Sequence, residues 1–227
     1  MNAEPSAPAD TRMMGIVHDA LLRDLTRAAD ALSRHPVPGD TQRVAIAQHM
    51  QAMMHFLHVH HSGEDAWLWP TMRRLNPSAS ELLDQMDADH LAIAPHMEKV
   101  TSAAAGYEKS PDGREALVNA LSDLRSSLDP HLRREENDMM PIVATTLTAR
   151  QWDAWEQEFY VKPKSKKELG LEGHWLIDGA DRSAFDRVVG TVNPVLRFVL
   201  LRAFGPKYRQ ACAARWGADV PVSPKLA

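Results

Sequence analysis

Two stretches of the chain repeat one pattern of possible metal ligands. Each has a histidine, a glutamate four residues later, a second acid directly after that glutamate, and a proline five residues beyond the second acid. The two copies are His60, Glu64, Asp65, Pro70 and His131, Glu135, Glu136, Pro141. Residues four apart on an α-helix share a face, so each histidine and its glutamate can reach one point in space. Nitrogen and oxygen donors together suit a cation such as iron or manganese.

The helices that would position these residues are indicated by the spacing of the apolar residues. Apolar side chains recur three and four positions apart in four segments, and short stretches rich in turn-forming residues separate the segments. Helices are expected at about 11–34, 41–69, 80–106 and from the turn at 110–113 to residue 141. Pro70 should end or kink the second helix, and Pro95 should kink the third. Four amphipathic helices joined by short turns predict an all-α, up-down-up-down four-helix bundle.

The repeat extends beyond the two motifs. His18 lies on the apolar stripe of the first helix, and His90 lies on that of the third. Each half of the bundle is therefore a helix with one inward histidine, followed by a helix with the histidine–glutamate motif. The interior would hold His18, His60, Glu64, His90, His131 and Glu135. Two exposed helix turns that match by chance would explain one copy, but two copies with matching prolines favour a metal site.

Composition excludes several classes of protein. Hydrophobic residues make up 44% of the 227 residues, which is enough for a substantial core. The net charge of −4, with both signs interspersed, is not that of a nucleic-acid-binding surface. Cys212 is the single cysteine, so an internal disulfide is excluded and a cytoplasmic location is expected. No apolar run approaches the roughly 18 residues that a membrane span needs.

The regions flanking the bundle differ from it in character. Residues 1–10 are polar and rich in alanine and proline, which predicts a flexible tail before a bundle at 11–148. Residues 149–227 form an extension with an aromatic cluster near Trp155 and further helical segments. Its apolar residues at 195–204, which include Phe198 and Phe204, are expected to pack on the bundle or on another copy of the chain. A homo-oligomer formed through the extension is one consequence.

The six interior residues, in this order and spacing, resemble the haemerythrin-like (HHE cation-binding) family over about residues 11–145. The resemblance implies a four-helix bundle around a non-haem centre of two iron ions with an oxo or hydroxo bridge. The implied ligands are His18 and His60 for one iron, His90 and His131 for the other, and Glu64 and Glu135 as bridges. The extension is similar to that of some actinobacterial members of the family.

The chain also departs from the oxygen-carrying haemerythrins. Those proteins have a further histidine four residues after the third-helix ligand, where this chain has Ala94. Either both irons keep an accessible position, or one of them recruits another ligand. The candidates for that role, in falling order, are Glu136, His96 and His174.

The second helix carries more histidines than the motif uses. His58, His61 and Asp65 share a face that is not the face of His60, so they could form a second metal site. A solvated polar stripe is the simpler interpretation, and we expect it.

Two functions remain open from the sequence. The first is an oxidoreductase whose di-iron centre reacts with peroxide, nitric oxide or dioxygen. The second is a protein that binds, stores or senses oxygen, nitric oxide or iron without turnover. The missing histidine at Ala94 favours the reactive class, because reversible oxygen carriage uses that ligand in the family. No catalytic residue beyond the metal ligands, and no other cofactor, is predicted.

Overall fold

The computed structural model describes residues 6–190, 194–220 and 222, except for the side chains of 194–196, 199 and 200. Within these ranges the chain is all-α, and no β-strand is formed. The four long helices are α1 (Arg12–Ser33), α2 (Asp40–Gly63), α4 (Ser80–Lys109) and α5 (Arg114–Arg134). Two short helices, α3 (Trp69–Leu75) and α6 (Met140–Thr146), continue α2 and α5. The predicted fold class, a four-helix bundle with additional C-terminal helices, is confirmed.

A π-helical turn joins each long helix of the motif to its continuation. Glu64–Leu68 lies between α2 and α3, and Glu135–Met139 lies between α5 and α6. The backbone N–H of the residue before each proline bonds to the carbonyl five residues back, at Glu64 and at Glu135. A proline has no N–H to donate, and its ring crowds the helix before it, so a wider turn there accommodates it. The fourth helix was expected to end at Pro141, and this was wrong, since the helical path runs on to Thr146.

The core consists of two apolar clusters with a polar layer between them. In α1, Met14 belongs to one cluster and Leu21 to the other, and His18 lies between them. The other three bundle helices follow the same order, so that the motif residues separate the clusters in every helix. The flanking pairs are Leu57 and Leu68, Met86 and Ile93, and Leu132 and Met139. The sequence therefore places the six interior residues of the repeat at one level of the bundle.

The helices after the bundle are α7 (Ala149–Glu156), α8 (Lys166–Ile177), α9 (Arg182–Gly190) and α10 (Pro194–Trp216), with a π-helical turn at Gln157–Val161. They contact the bundle through a buried polar network. Trp175 Nε1 donates to Asp24 Oδ2 at 3.1 Å, and Arg27 Nη1 is 2.6 Å from Asp178 Oδ2. Asp24 and Asp178 are both buried, and each is paired across this contact.

The packing expected of the apolar residues at 195–204 is found for Phe204 but not for Phe198. Phe204 packs against Gly170, whereas Phe198 is 60% exposed and does not join the core. Among the other apolar residues at 195–204, the side chains of 195, 196, 199 and 200 lie outside the described residues, as do residues 1–5 of the predicted tail.

α4 continues through Pro95 without interruption. Among the described helices, none is both long and apolar enough to cross a bilayer.

Candidate metal centre

The six predicted ligands converge at the polar layer. All of them are buried: His18, His60, Glu64, His90, His131 and Glu135. α1 and α4 each contribute one histidine, and α2 and α5 each contribute one histidine and lead into a glutamate. Each glutamate is the first residue of a π-helical turn, so its carboxylate leaves the helix where the backbone widens.

The side chains fall into two groups of possible ligand atoms. One group consists of His18, His60 and Glu135, and the other consists of His61, His90 and His131. Within each group the ligand atoms lie within 4.8 Å of one another. His18 Nε2 is 3.3 Å from His60 Nε2 and 3.3 Å from Glu135 Oε2. Two such groups at one level of the bundle could hold two cations.

Both glutamates lie between the groups. Glu64 Oε1 is 3.1 Å from His60 Nε2, while Glu64 Oε2 is 3.5 Å from His90 Nε2. Glu135 Oε2 is 3.3 Å from His18 Nε2 and 3.8 Å from His131 Nε2. Each carboxylate therefore faces histidines of both groups, which is the position that a bridging ligand would need.

The donor atoms fit a cation because they are buried without other partners. Both carboxylate oxygens of Glu64 and Glu135 lack a hydrogen-bond partner among the described residues. The same holds for Nε2 of His61, His90 and His131. A buried polar atom left unpaired costs about 1–3 kcal/mol, and more if it is charged. A cation bound between them would satisfy these seven atoms together.

Three acids orient the histidines from outside the centre. Glu136 Oε1 is 2.7 Å from His18 Nδ1, and Asp65 Oδ1 is 2.6 Å from His90 Nδ1. Asp89, which is paired with Arg134, has Oδ2 3.4 Å from His131 Nδ1. An acid at Nδ1 accepts the Nδ1 proton and leaves the Nε2 lone pair facing the centre. The second acid of each motif thus fixes a histidine on another helix.

Burial shifts the pKa values of the site towards the neutral forms. The pKa of Glu64 is raised well above its usual range, first by burial and then by the charge of Glu135, and burial also raises the pKa of Glu135. Burial lowers the pKa of His60 well below its usual range and, together with His90, lowers that of His131 to about 3. The imidazoles of His60 and His131 are therefore neutral and ready to bind, while the glutamates need a cation to favour their ionised form.

The three candidates for a further ligand, which would replace the histidine missing at Ala94, do not belong to the two ligand groups. Glu136 is occupied at Nδ1 of His18, and His174 stacks on Tyr208 at a ring distance of 5.9 Å. His96 belongs to neither of the two ligand groups found among the described residues.

The sequence interpretation missed His61. It was assigned to a solvated stripe with His58 and Asp65, and this was wrong for His61, which is buried at 6% exposure. Only His58 and Asp65 of the three are exposed, and Asp65 pairs with His90. The signal that could have found His61 is the combination of a double histidine at 60–61 with Ala94.

Two openings adjoin the centre. A cavity of about 530 Å³ lies between α1, α2 and the helices of the extension, and His60 and Tyr160 form part of its wall. Its other walls are largely apolar and include Met13, Val17 and Phe56. A wider groove of about 950 Å³ runs between α2 and α4, past His61, His90 and Ala94. Small molecules could approach the two ligand groups from different sides.

Comparison with known proteins gave one match. The family model of the hemerythrin HHE cation binding domain matches residues 11–143, which include all six predicted ligands and His61. No curated protein and no solved structure matches the chain.

Proposed function

Because the chain belongs to the hemerythrin HHE cation-binding family, we propose that the polar layer holds two iron ions and that the protein reacts there with a small oxidant. The oxidant would be peroxide, nitric oxide or dioxygen. The proposed ligands are His18, His60, Glu64, His90, His131 and Glu135. Bound iron would supply the electrons that reduce the oxidant.

One observation carries this proposal: the two ligand groups share a pair of buried glutamates that have no other partner among the described residues. A single cation would leave half of these donors unused. The donors are imidazoles and carboxylates, with no thiolate among them. This donor set suits iron, whereas structural zinc sites are usually rich in thiolates.

The protein's own residues have three tasks in this chemistry. Glu64 and Glu135 hold negative charge between the two groups, which balances part of the charge of two cations. Glu136, Asp65 and Asp89 keep the Nε2 atoms of three histidines directed inward. The apolar clusters above and below the layer limit the access of water.

Metal analysis and rapid mixing test the proposal. Freshly purified protein should contain two irons per chain, and zinc alone, or about one metal per chain, after expression in iron-rich medium would refute the two-iron centre. The reduced protein should oxidise quickly in air without a long-lived oxygen adduct. Mixed with peroxide or nitric oxide in the absence of air, the reduced protein should consume either of them as its iron is oxidised. A stable, reversible oxygen adduct over many minutes would instead favour the alternative, a protein that binds or senses without turnover.

The apolar cavity supports a second candidate, in which the oxidising centre acts on an apolar organic molecule. A volume of about 530 Å³ is within the range of small-molecule pockets, and the cavity reaches the ring of His60. Val17→Trp would fill the cavity from α1 without changing a proposed ligand. If toluene or decanal raises the melting temperature of the native protein but not of that variant, the cavity binds such molecules. An equal shift, or no shift, in both proteins would remove this candidate.

A further inference from the structure

We propose that His61 is a seventh metal ligand, which gives the ion at His90 and His131 a third imidazole in place of the histidine missing at Ala94. The proposal rests on the proposed function, since it presupposes a metal at the polar layer. It goes further because it makes the two metal positions unequal. One ion would have three imidazoles, and the other, at His18 and His60, would have two.

The burial of His61 is the first observation. Its side chain is 6% exposed, and its Nε2 atom has no hydrogen-bond partner among the described residues. The neighbouring histidines of α2 at 55 and 58 are exposed, and the buried His49 has Asp24 as a partner at 2.7 Å. His61 is therefore a buried imidazole on α2 whose Nε2 atom still needs a partner.

The geometry around His61 supplies the second observation. Its ring stacks on that of His90, with ring centres 4.0 Å apart and planes 11° from parallel. The ring of His131 lies edge-on, with centres 5.3 Å apart. The ligand atoms of the three histidines lie within 4.8 Å of one another. Three imidazole nitrogens so close together could share one cation once the ring of His61 turns about its Cβ–Cγ bond, because the lone pairs of two stacked rings lie in parallel planes.

The position of Ala94 supplies the third observation. A histidine at this position would lie one turn after His90 on the same face of α4. Ala94 and His61 line the same groove between α2 and α4. The short alanine side chain is exposed in this groove, and the ring that lies against His90 is that of His61 from the neighbouring helix.

If His61 had only a structural role, its ring would be needed but its nitrogen atoms would not. If the ring only packed against His90, an aromatic residue without nitrogen would serve as well and would leave no buried atom unpaired. Phenylalanine at this position therefore separates the two explanations, because it can keep the stacked ring and removes the donor atom.

The test compares His61→Phe with the native protein and with His58→Phe, an exposed neighbour on α2. Each protein is loaded with ⁵⁷Fe, analysed for metal and exposed to a mild chelator. The native protein and His58→Phe should hold two irons and give two Mössbauer doublets of equal area. His61→Phe should lose one iron per chain to the chelator at least about tenfold faster, with loss or shift of one doublet. Adding Ala94→His to His61→Phe should restore the second iron.

The outcomes separate this inference from the proposed function. If the native protein cannot hold two irons, the proposed function fails and the inference fails with it. If the native protein holds two irons and His61→Phe holds both with unchanged release and unchanged doublets, only the role of His61 is overturned. Circular dichroism of each variant confirms that the helices are intact. Should His61→Phe not fold, His61→Gln is compared in the same way, with the same result expected and the same result overturning the proposal.

Discussion

Glu156 should make the protein less stable as the pH rises. It lies at the end of α7, on the wall of the apolar cavity, and accepts a hydrogen bond from Trp152 Nε1 at 2.9 Å. Burial raises the pKa of its carboxyl from 4.5 to about 7, although Arg187 and the bond from Trp152 oppose the shift. In the unfolded chain the carboxyl regains its ordinary pKa, so the two states bind different numbers of protons between these values.

The direction in which stability changes with pH follows from this difference in bound protons between the folded and the unfolded state. A carboxyl whose pKa is raised on folding is neutral in both states at low pH and costs nothing there. As the pH rises from 4.5 through about 7, the folded state must ionise a partly buried group, and stability is lost. The difference corresponds to at most about 3 kcal/mol above pH 7 and to less than about 1 kcal/mol near pH 5. Glu156→Gln stays neutral and can still accept the hydrogen bond from Trp152, so it avoids this cost.

Urea unfolding of Glu156→Gln and of the native protein at about pH 5 and pH 8.5 measures the effect. The variant should be more stable at the higher pH, and its advantage should nearly vanish at the lower one. Glu158→Gln is the control, because Glu158 is exposed and its ion pair with Lys162 contributes little. An advantage that stayed the same at both pH values, or a variant less stable at pH 8.5, would refute the argument.

Three further predictions concern the metal centre and the extension. Glu64→Ala and Glu135→Ala should each lose most of the metal. Asp65→Ala and Glu136→Ala should stay loaded at saturating iron but bind it about 10- to 100-fold more weakly, since these acids only orient His90 and His18. Metal titration measures the four affinities, and a reversed order within either pair of neighbouring acids would contradict the prediction. Acid should release iron, because protons compete with the metal for Glu64 and Glu135, whose pKa values are raised by burial. Release should therefore begin at a pH above the usual pKa of a glutamate, and an iron content that metal analysis finds unchanged down to about pH 4 would be inconsistent with this. A chain truncated after Arg150 should still bind metal but be less soluble, because it exposes surface that the extension covers; soluble truncated protein that cannot hold iron would show that the extension belongs to the site.

The sequence was sufficient to predict the fold class and the six interior residues because both depend on local periodicity. A histidine four residues before a glutamate lies on the same helix face whatever the helix packs against, and the apolar residues on that face direct it inward. His18 and His90 were found in the same way. The pairing of the helices followed from the short turns between them.

Other features depend on contacts between distant helices and could not be predicted. The burial of His61 depends on the neighbouring α4, whose His90 stacks on its ring. The continuation of α5 past Pro141 depends on the wider turn that begins at Glu135, and helical spacing alone does not predict such a turn. The partners of Asp65 and Glu136 are histidines on other helices, so their orienting role becomes apparent only when the helices are packed.

The extension also acts on the motif turn itself. Trp155 Nε1 donates to the carbonyl of Gly63 at 3.0 Å, and Tyr160 OH donates to the carbonyl of His60 at 2.9 Å. Both carbonyls belong to the turn between the histidine and the glutamate of the first motif, directly before the π-helical segment. Hydrogen bonds from side chains to helix carbonyls support a local change in the hydrogen-bonding register. The extension therefore helps to hold the backbone from which His60 and Glu64 reach the centre, in addition to covering the bundle.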